Sequence, residues 1–143
     1  MIIAVGIDMV EIARVERLLA SKGDHALRKL FTDAERVYAE GKPRPALHFA
    51  ARVAAKEATY KALRGTHQAR AIGWRELEVT LEWDGAPTLL LHGGAARRAL
   101  ELGVTRVHLS LTHTASSAAA VAVLEGPGEA PAAENFTSSS ARK

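Results

Sequence analysis

The most informative segment of the chain is FAARVAAKEATYKAL, residues 49–63. It belongs to a longer alanine-rich run from Ala46 to Leu63 that contains no glycine or proline and is bounded by Pro45 and Gly65. Alanine is the strongest helix former, and proline and glycine mark helix ends. The pattern predicts one long helix whose small side chains let another element pack closely against it.

On its N-terminal side the sequence predicts a strand followed by two helices. The apolar run 2–7 suits a buried strand that ends at Asp8, and Gly6 suits a close backbone approach. In EIARVERLLA, residues 11–20, apolar side chains share one helical face while Arg14 and Arg17 lie on another, and Gly23 ends that helix. Thr32 and Glu35 form a capping box that starts a second helix.

On its C-terminal side the sequence predicts two hairpins separated by a short helix. Residues 74–83 alternate between apolar and polar side chains, Asp84-Gly85 is a turn signal, and a second strand runs through 89–91. A short helix over 95–102 precedes two strands within 104–113 and 117–125. Helices and strands are partly segregated along the chain, which indicates an α+β fold with a mainly antiparallel sheet.

Composition limits the class of protein. The chain has 143 residues, a formal charge of +3 and no cysteine, which predicts one domain without disulfides or thiolate metal sites. No signal peptide or membrane-spanning stretch is expected, so we predict a cytoplasmic protein that binds neither membrane nor nucleic acid. The domain should cover residues 1–125, and the Pro-, Gly- and Ser-rich segment 126–143 should be a disordered tail.

Two carboxylates and a lysine are candidates for metal and phosphate chemistry. Asp8 follows a strand and could hold Mg²⁺, although a helix N-cap is the common role of such an aspartate. Glu57 and Lys61 are four residues apart on the long helix, a spacing that is usually a solvated surface pair. In phosphoryl transfer, the same two residue types would hold the metal and neutralise charge on the phosphate.

A histidine and several arginines are weaker candidates. His113 ends a strand in which Val107, Leu109 and Leu111 share its parity, so it is either a structural or a ligand-contacting histidine. Arg44 and Arg52 flank or lie on the long helix and could bind phosphate. Arg14 and Arg17 could be a solvated face or a docking face for an acidic partner. No P-loop, GxGxxG, GxSxG or HExxH motif is present.

Four segments taken together resemble the small bacterial phosphopantetheinyl transferases that act on acyl-carrier proteins. They are IIAVGIDMVEIARVERLL (2–19), FTDAERVYAE (31–40), FAARVAAKEATYKAL (49–63) and HLSLTHTASSAAAVAVLE (108–125). G-x-D followed about fifty residues later by K-E-A-x-x-K is the most specific feature. Val53 and Thr112 depart from the family's usual aromatic and serine.

The resemblance implies the phosphopantetheinyl transferase fold, a homotrimer with active sites at subunit interfaces, and transfer from coenzyme A to acyl-carrier protein in fatty acid biosynthesis. Asp8 and Glu57 would bind Mg²⁺ and act with Lys61 and His113 in catalysis. The resemblance also implies a coenzyme A site and a carrier-protein docking face. The first comprises Arg44, Arg52, Lys61, Thr112 and His113; the second comprises Arg14 and Arg17.

Several questions remain open at the level of sequence. The residue that removes the serine proton could be Glu57, a water on the metal, Asp33 or Glu35. In a shared site, Arg14, Arg17 and Arg44 could come from the neighbouring subunit. The alternative functions are a non-catalytic module that docks an acidic protein, and a hydrolase of coenzyme A that needs no acceptor.

Overall fold

The computed structural model describes residues 1–64 and 72–127 and has an α+β architecture. The order of elements follows the predicted one: a strand, helices, a hairpin, a short helix and a final hairpin. In chain order they are β1 (Ile2–Glu11), α1 (Ile12–Leu30), α2 (Asp33–Glu40), α3 (Pro45–Ala62), a 3₁₀ turn (Trp74–Glu76), β2 (Leu77–Leu81), β3 (Pro87–Leu91), α4 (Gly93–Glu101), β4 (Arg106–His113) and β5 (Ser117–Glu125).

All strand pairs among these elements are antiparallel, as predicted. The larger sheet has the order β1-β5-β4, and β2 and β3 form a separate two-stranded sheet. In the larger sheet Asp8 pairs with Ala120, and Leu111 pairs with Ala120 from the other side. His113 lies two residues further along β4, so the sheet places it two strands away from β1 on the same side as Asp8.

Helix α3 crosses one face of the larger sheet and packs on β1 and β5. The contact is close because small residues meet on both sides. Ala54, Ala58 and Ala62 on the helix and Ala118, Ala120 and Ala122 on β5 are buried. A side chain at Gly6 would overlap the carbonyl oxygen of Ala58. The alanines therefore allow the close packing that the sequence predicted.

The structure corrects the predicted start of the chain. Strand β1 continues through Asp8 to Glu11, and α1 begins at Ile12 with Glu11 as its N-cap. Asp8 is therefore inside a strand and cannot cap the helix. Gly23 does interrupt α1, with φ 51°, but the helix resumes and runs to Leu30. Helix α3, with 18 residues, is uninterrupted.

A buried ion pair joins α2, α3 and the smaller sheet. Thr32 and Glu35 form the predicted capping box. Glu35 also accepts a hydrogen bond from Lys56 Nζ at 2.8 Å and one from the Val79 amide at 3.1 Å. Lys56 Nζ donates in turn to the Trp74 carbonyl at 2.8 Å. A charged pair with all these partners satisfied fixes α2 and residue 74 against α3.

The two ends of the described chain meet. The Gly126 amide donates to Met1 O at 2.9 Å, so Gly126, the first residue of the predicted tail, still continues the pairing of β5 with β1. Residues 128–143, which hold the rest of that tail, lie outside the described residues, as do residues 65–71. Within the described ranges, no helix is long and apolar enough to cross a membrane.

Candidate functional site

Asp8, Glu57 and Lys61 come together where β1 passes beneath α3, and we call them the carboxylate cluster. Lys61 Nζ donates to Asp8 Oδ1 at 2.8 Å and to the Ile7 carbonyl at 3.2 Å. The Asp8 side chain is 14% exposed and Lys61 is 57% exposed. Lys61 thus pairs with a strand residue, which argues against a simple surface pair with Glu57.

The electrostatics of the carboxylate cluster depend on two acids in contact. Burial raises the pKa of Asp8, but the neighbouring Glu57 carboxyl and the hydrogen bond from Lys61 outweigh burial and leave that pKa below its ordinary value. Burial, and then the neighbouring Asp8 carboxyl, raise the pKa of Glu57 to about 7. Arg14 and Lys61 act on Glu57 in the opposite direction. At neutral pH, Asp8 is ionised and Glu57 is about half protonated.

The carboxylate cluster has the donor atoms that a hard divalent cation requires. Asp8 Oδ2 is buried and has no hydrogen-bond partner among the described residues. The same part of the chain holds no group of three or more His, Asp or Glu side chains placed to bind a metal. Mg²⁺ commonly takes one or two carboxylates and completes its shell with water and substrate phosphate. An unpaired carboxylate oxygen beside a second carboxyl fits that mode of binding.

Two depressions meet at Glu57. One is a cavity of about 380 Å³ beside Tyr60, Lys61 and Trp74. The other is a groove of about 590 Å³ between α1 and α3. The groove is lined by the predicted docking residues and by further basic side chains: Arg14, Arg17, Lys22, His25 and Lys29. Arg14 lies near Glu57 of its own chain, where its charge lowers the pKa of Glu57.

The remaining predicted coenzyme A residues lie apart from the carboxylate cluster. Arg52, Thr112 and His113 line a cavity of about 220 Å³ on another side of α3. Arg44 is the N-cap of α3, where its guanidinium donates to the Ala115 carbonyl at 2.9 Å and lies 3.6 Å from Glu16. The predicted site residues therefore form two groups, one at the carboxylate cluster and one at the 220 Å³ cavity, and Arg44 belongs to neither.

The sequence analysis did not identify three residues that lie close to Arg52 or His113 in the structure: Tyr38, Lys42 and His48. With Arg52 and His113 they form what we call the basic cluster. The Tyr38 ring lies 4.2 Å from Arg52 Cζ, 4.6 Å from Lys42 Nζ and 5.7 Å from the His48 ring. Tyr38 with Lys42, and His48 with Arg52, have the i,i+4 spacing, the signal that could have found them.

Helix geometry keeps the two clusters apart within one chain. At about 100° per residue, His48 and Arg52 lie about 140° to 180° around α3 from Glu57. His48 and Glu57 are also about 13 Å apart along the helix axis. A ligand held by both clusters of one chain would have to reach around the helix.

Glu35 is unsuitable as the base that accepts the serine proton. Its side chain is fully buried, and both oxygens already accept hydrogen bonds from Lys56, Thr32 and Val79. Asp33, the other candidate from this segment, is 90% exposed and 4.0 Å from Arg75. The inclusion of Glu35 among the candidates is therefore wrong, because the capping box and the buried ion pair occupy it.

Comparison with known proteins gives a consistent family. Residues 4–123 match the family model described as the 4′-phosphopantetheinyl transferase superfamily. A holo-[acyl-carrier-protein] synthase from Anaeromyxobacter sp. (strain K) is 45% identical over 131 residues, covering 90% of this chain and 99% of the relative.

Solved structures agree with the sequence relatives. The holo-[acyl-carrier-protein] synthase from Neisseria meningitidis superposes with a TM-score of 0.77 at 26% identity, covering 87% of this chain and 99% of that one. The Bacillus anthracis synthase, solved in complex with CoA (3′,5′-ADP), gives a TM-score of 0.69 at 31% identity, with coverages of 88% and 98%. These matches span nearly the full length of each relative.

Proposed function

This chain belongs to the 4′-phosphopantetheinyl transferase superfamily, and from that premise we propose that it is a holo-acyl-carrier-protein synthase. It moves the 4′-phosphopantetheine arm of coenzyme A to a serine of apo acyl-carrier protein. The serine oxygen forms a bond to the β-phosphorus, and the bond from that phosphorus to the bridging oxygen breaks. Adenosine 3′,5′-bisphosphate leaves with the bonding electrons, and the serine proton passes to a base such as Glu57 or Asp33. The carboxylate cluster beside the basic groove is the observation that carries this assignment.

Asp8 and Glu57 would hold Mg²⁺. Bound there, Mg²⁺ would offset the negative charge of the two carboxylates and of the coenzyme A diphosphate. Without the cation, the carboxylates would repel the diphosphate. The buried Asp8 oxygen without a partner and the raised pKa of Glu57 both favour a cation at this position. A cation held there would favour the ionised form of both carboxyls.

The chain's own side chains position the reactants around the carboxylate cluster. Lys61 is largely exposed and held at Asp8, so its ammonium can stabilise negative charge on a phosphate placed there. Arg14 adds positive charge near Glu57. Lys56 fixes the Trp74 backbone, so that residue 74 forms a wall common to the cavity and the groove.

The groove between α1 and α3 is the proposed docking site for the acidic carrier protein. Arg14 and Arg17 line it together with Lys22, His25 and Lys29, and Glu57 lies at the same groove. Carrier proteins are acidic, so the basic lining would steer them toward the carboxylate cluster. Supply of holo carrier for fatty acid biosynthesis in the cytoplasm is the corresponding physiological role.

We also propose that the active unit is a homotrimer with shared sites. The face of the larger sheet that points away from α3 exposes Val5, Ile7 and Met9, which are 58%, 64% and 69% exposed in a single chain. Contiguous apolar side chains on a sheet face favour burial against another copy. A neighbour would also bring a basic cluster to the carboxylate cluster, which one chain cannot do around α3. The number three comes from the family resemblance.

Intact-mass measurement tests the function. Incubation of apo acyl-carrier protein with the chain, coenzyme A and Mg²⁺ should increase the carrier mass by one phosphopantetheine group. Adenosine 3′,5′-bisphosphate should appear in equal amount. Release of that product without modification of the carrier would instead indicate a coenzyme A hydrolase, and no turnover would indicate a binding module.

A further inference from the structure

Among the described residues, the lining of the cavity beside the basic cluster contains no carboxylate. Among the residues that form it are His48, Arg52 and His113, and Tyr38 supplies an aromatic face. Leu47, Leu81 and Leu111 add apolar surface. A cavity with cations and an aromatic and apolar wall suits an anion attached to a flat or apolar group.

Arg52 lacks an anionic partner of its own. The residue is 4% exposed, makes no ion pair within the described ranges, and has a buried Nε without a hydrogen-bond partner there. Its guanidinium stacks on Tyr38 and donates weakly to the His48 carbonyl at 3.4 Å. Glu35 contributes a nearby negative charge, but its oxygens are occupied by other donors. A buried guanidinium left in this state favours binding of an external anion.

Among the described residues, the charged groups that shift the pKa of His48 are cationic or can become so, and the Tyr38 ring packs edge-on against the imidazole. Arg52 lies one turn along the same helix, Lys42 comes from the connection between α2 and α3, and His113 comes from β4. Burial first, and then these three groups, lower the pKa of His48 below its ordinary value. The imidazole is therefore neutral at physiological pH when the cavity is empty.

We propose that this cavity binds a phosphomonoester and that the His48 imidazole, beside Arg52 and His113, contacts it as a cation. A dianion reverses the charge balance around the imidazole and stabilises its cationic form. The identity of the ligand rests on the proposed function: coenzyme A carries one phosphomonoester, on the 3′ position of its ribose. His48 would then make preference for that phosphate depend on pH.

The sign of the effect follows from proton linkage. Binding takes up a proton at any pH between the free and the bound pKa of His48, so affinity increases as pH falls. One proton gives at most about a tenfold change in affinity per pH unit. The second pKa of a phosphomonoester is about 6, so the useful range lies above pH 6.5.

Calorimetric titration with coenzyme A and with 3′-dephospho-coenzyme A tests the proposal between pH 6.5 and 8. Both ligands carry the same diphosphate. The pH dependence of diphosphate binding at the metal site therefore cancels in the ratio of their affinities. The ratio should rise several-fold from pH 8 to 6.5 in the natural chain and in the control His92→Gln, whose histidine pairs with Glu78 outside this cavity. The rise should be smaller in His48→Gln, where His113 still lines the cavity, and an equal rise in that variant would overturn the role of His48. A flat ratio in the natural chain would overturn the proposal.

Proton NMR of the histidine side chains gives a readout that does not depend on how well the variant folds. The His48 resonance, assigned by its loss in His48→Gln, should titrate at a higher pH once coenzyme A is bound; an unchanged titration counts against the proposal. The carrier-mass assay runs in parallel. Transfer with a flat affinity ratio would reject the role of His48 alone. Absence of transfer with a pH-dependent ratio would reject the proposed function alone.

Discussion

The two sides of α3 carry side chains of opposite charge. On the side of β1, partial burial and then the neighbouring Asp8 carboxyl raise the pKa of Glu57 to about 7. On the side of β4, a buried arginine and two histidines form a cavity without a carboxylate. The first arrangement favours a bound cation and the second a bound anion. A metal-bound phosphate ester supplies both charges in one ligand, so we propose that each side is one half of a binding site.

Removal of one acid should have the largest effect. Asp8→Ala and Glu57→Ala should each lower transfer by at least about 10²-fold, because preorganised electrostatic groups contribute on this scale. Glu57→Ala should leave stability unchanged or slightly higher, because the fold disfavours ionised Glu57. Asp8→Ala should lower stability slightly, because it removes the contact with Lys61. Transfer kinetics and thermal melting check this, with Glu101→Ala, on the exposed side of α4, as control. Near-normal turnover by either variant at low Mg²⁺ would refute the metal assignment.

Mixing two inactive chains tests whether the halves come from different subunits. Glu57→Ala and Arg52→Gln should each be nearly inactive, and subunits refolded together should recover activity. Random assembly places an intact carboxylate cluster against an intact basic cluster in about a quarter of the sites. An active monomer in sedimentation, or no recovery in the mixture, would mean that each chain contains a complete site.

The affinity of the carboxylate cluster for Mg²⁺ should decrease as pH falls. Because a proton competes with the cation at Glu57, whose pKa is about 7, apparent Mg²⁺ affinity should fall up to about tenfold per pH unit below pH 7. Above pH 8 it should be constant. Calorimetry with Mg²⁺ measures it, and Glu57→Gln should bind weakly without this pH dependence. Equal affinities at pH 6 and 8 in the natural chain would contradict the competition.

The docking groove should have a smaller, salt-dependent effect. Arg17→Glu should raise the apparent KM for carrier protein about three- to tenfold at low salt and less at high salt, because exposed charges act through steering. The KM for coenzyme A should hardly change. Arg97→Glu, on the exposed side of α4, is the matched control. If both variants behave alike, the groove is not the docking face.

The smallest effect should come from the C-terminal segment. Deletion of residues 128–143 should leave trimer formation and turnover unchanged and shift the free energy of unfolding by less than about 0.5 kcal/mol. Cutting after Glu125 would also remove Gly126, which pairs with Met1. Sedimentation and thermal melting of both truncations compare them; a trimer lost on the shorter deletion would give the tail a structural role.

The elements of the fold were largely predictable because their signals are local. The alanine run predicted α3, the capping box predicted α2, and alternation predicted the antiparallel strands. The end of β1 was not predictable, since Asp8 is favoured in caps and disfavoured in strands. Pairing with Ala120 and the contact with Lys61 override that preference.

The site was predictable only in part, for a related reason. The carboxylate cluster rests on the spacing of Glu57 and Lys61 together with the family pattern. Tyr38, Lys42 and His48 were missed because their i,i+4 spacings look like ordinary surface pairs, and no local pattern shows that His113 of β4 lies at the same cavity as His48. Glu35 was misjudged because its burial depends on Lys56 and on the Val79 amide, 21 and 44 residues away.

Gly6 has a consequence for engineering this scaffold. Its φ is not in the left-handed region, so glycine is present there to leave space for the carbonyl of Ala58, one residue beyond Glu57. The absence of a side chain at position 6 sets the short distance between strand and helix. Gly6→Ala would push α3 outward and lengthen the gap between Asp8 and Lys61. A mutational library aimed at new acceptors should therefore hold position 6 constant and vary the walls of the groove.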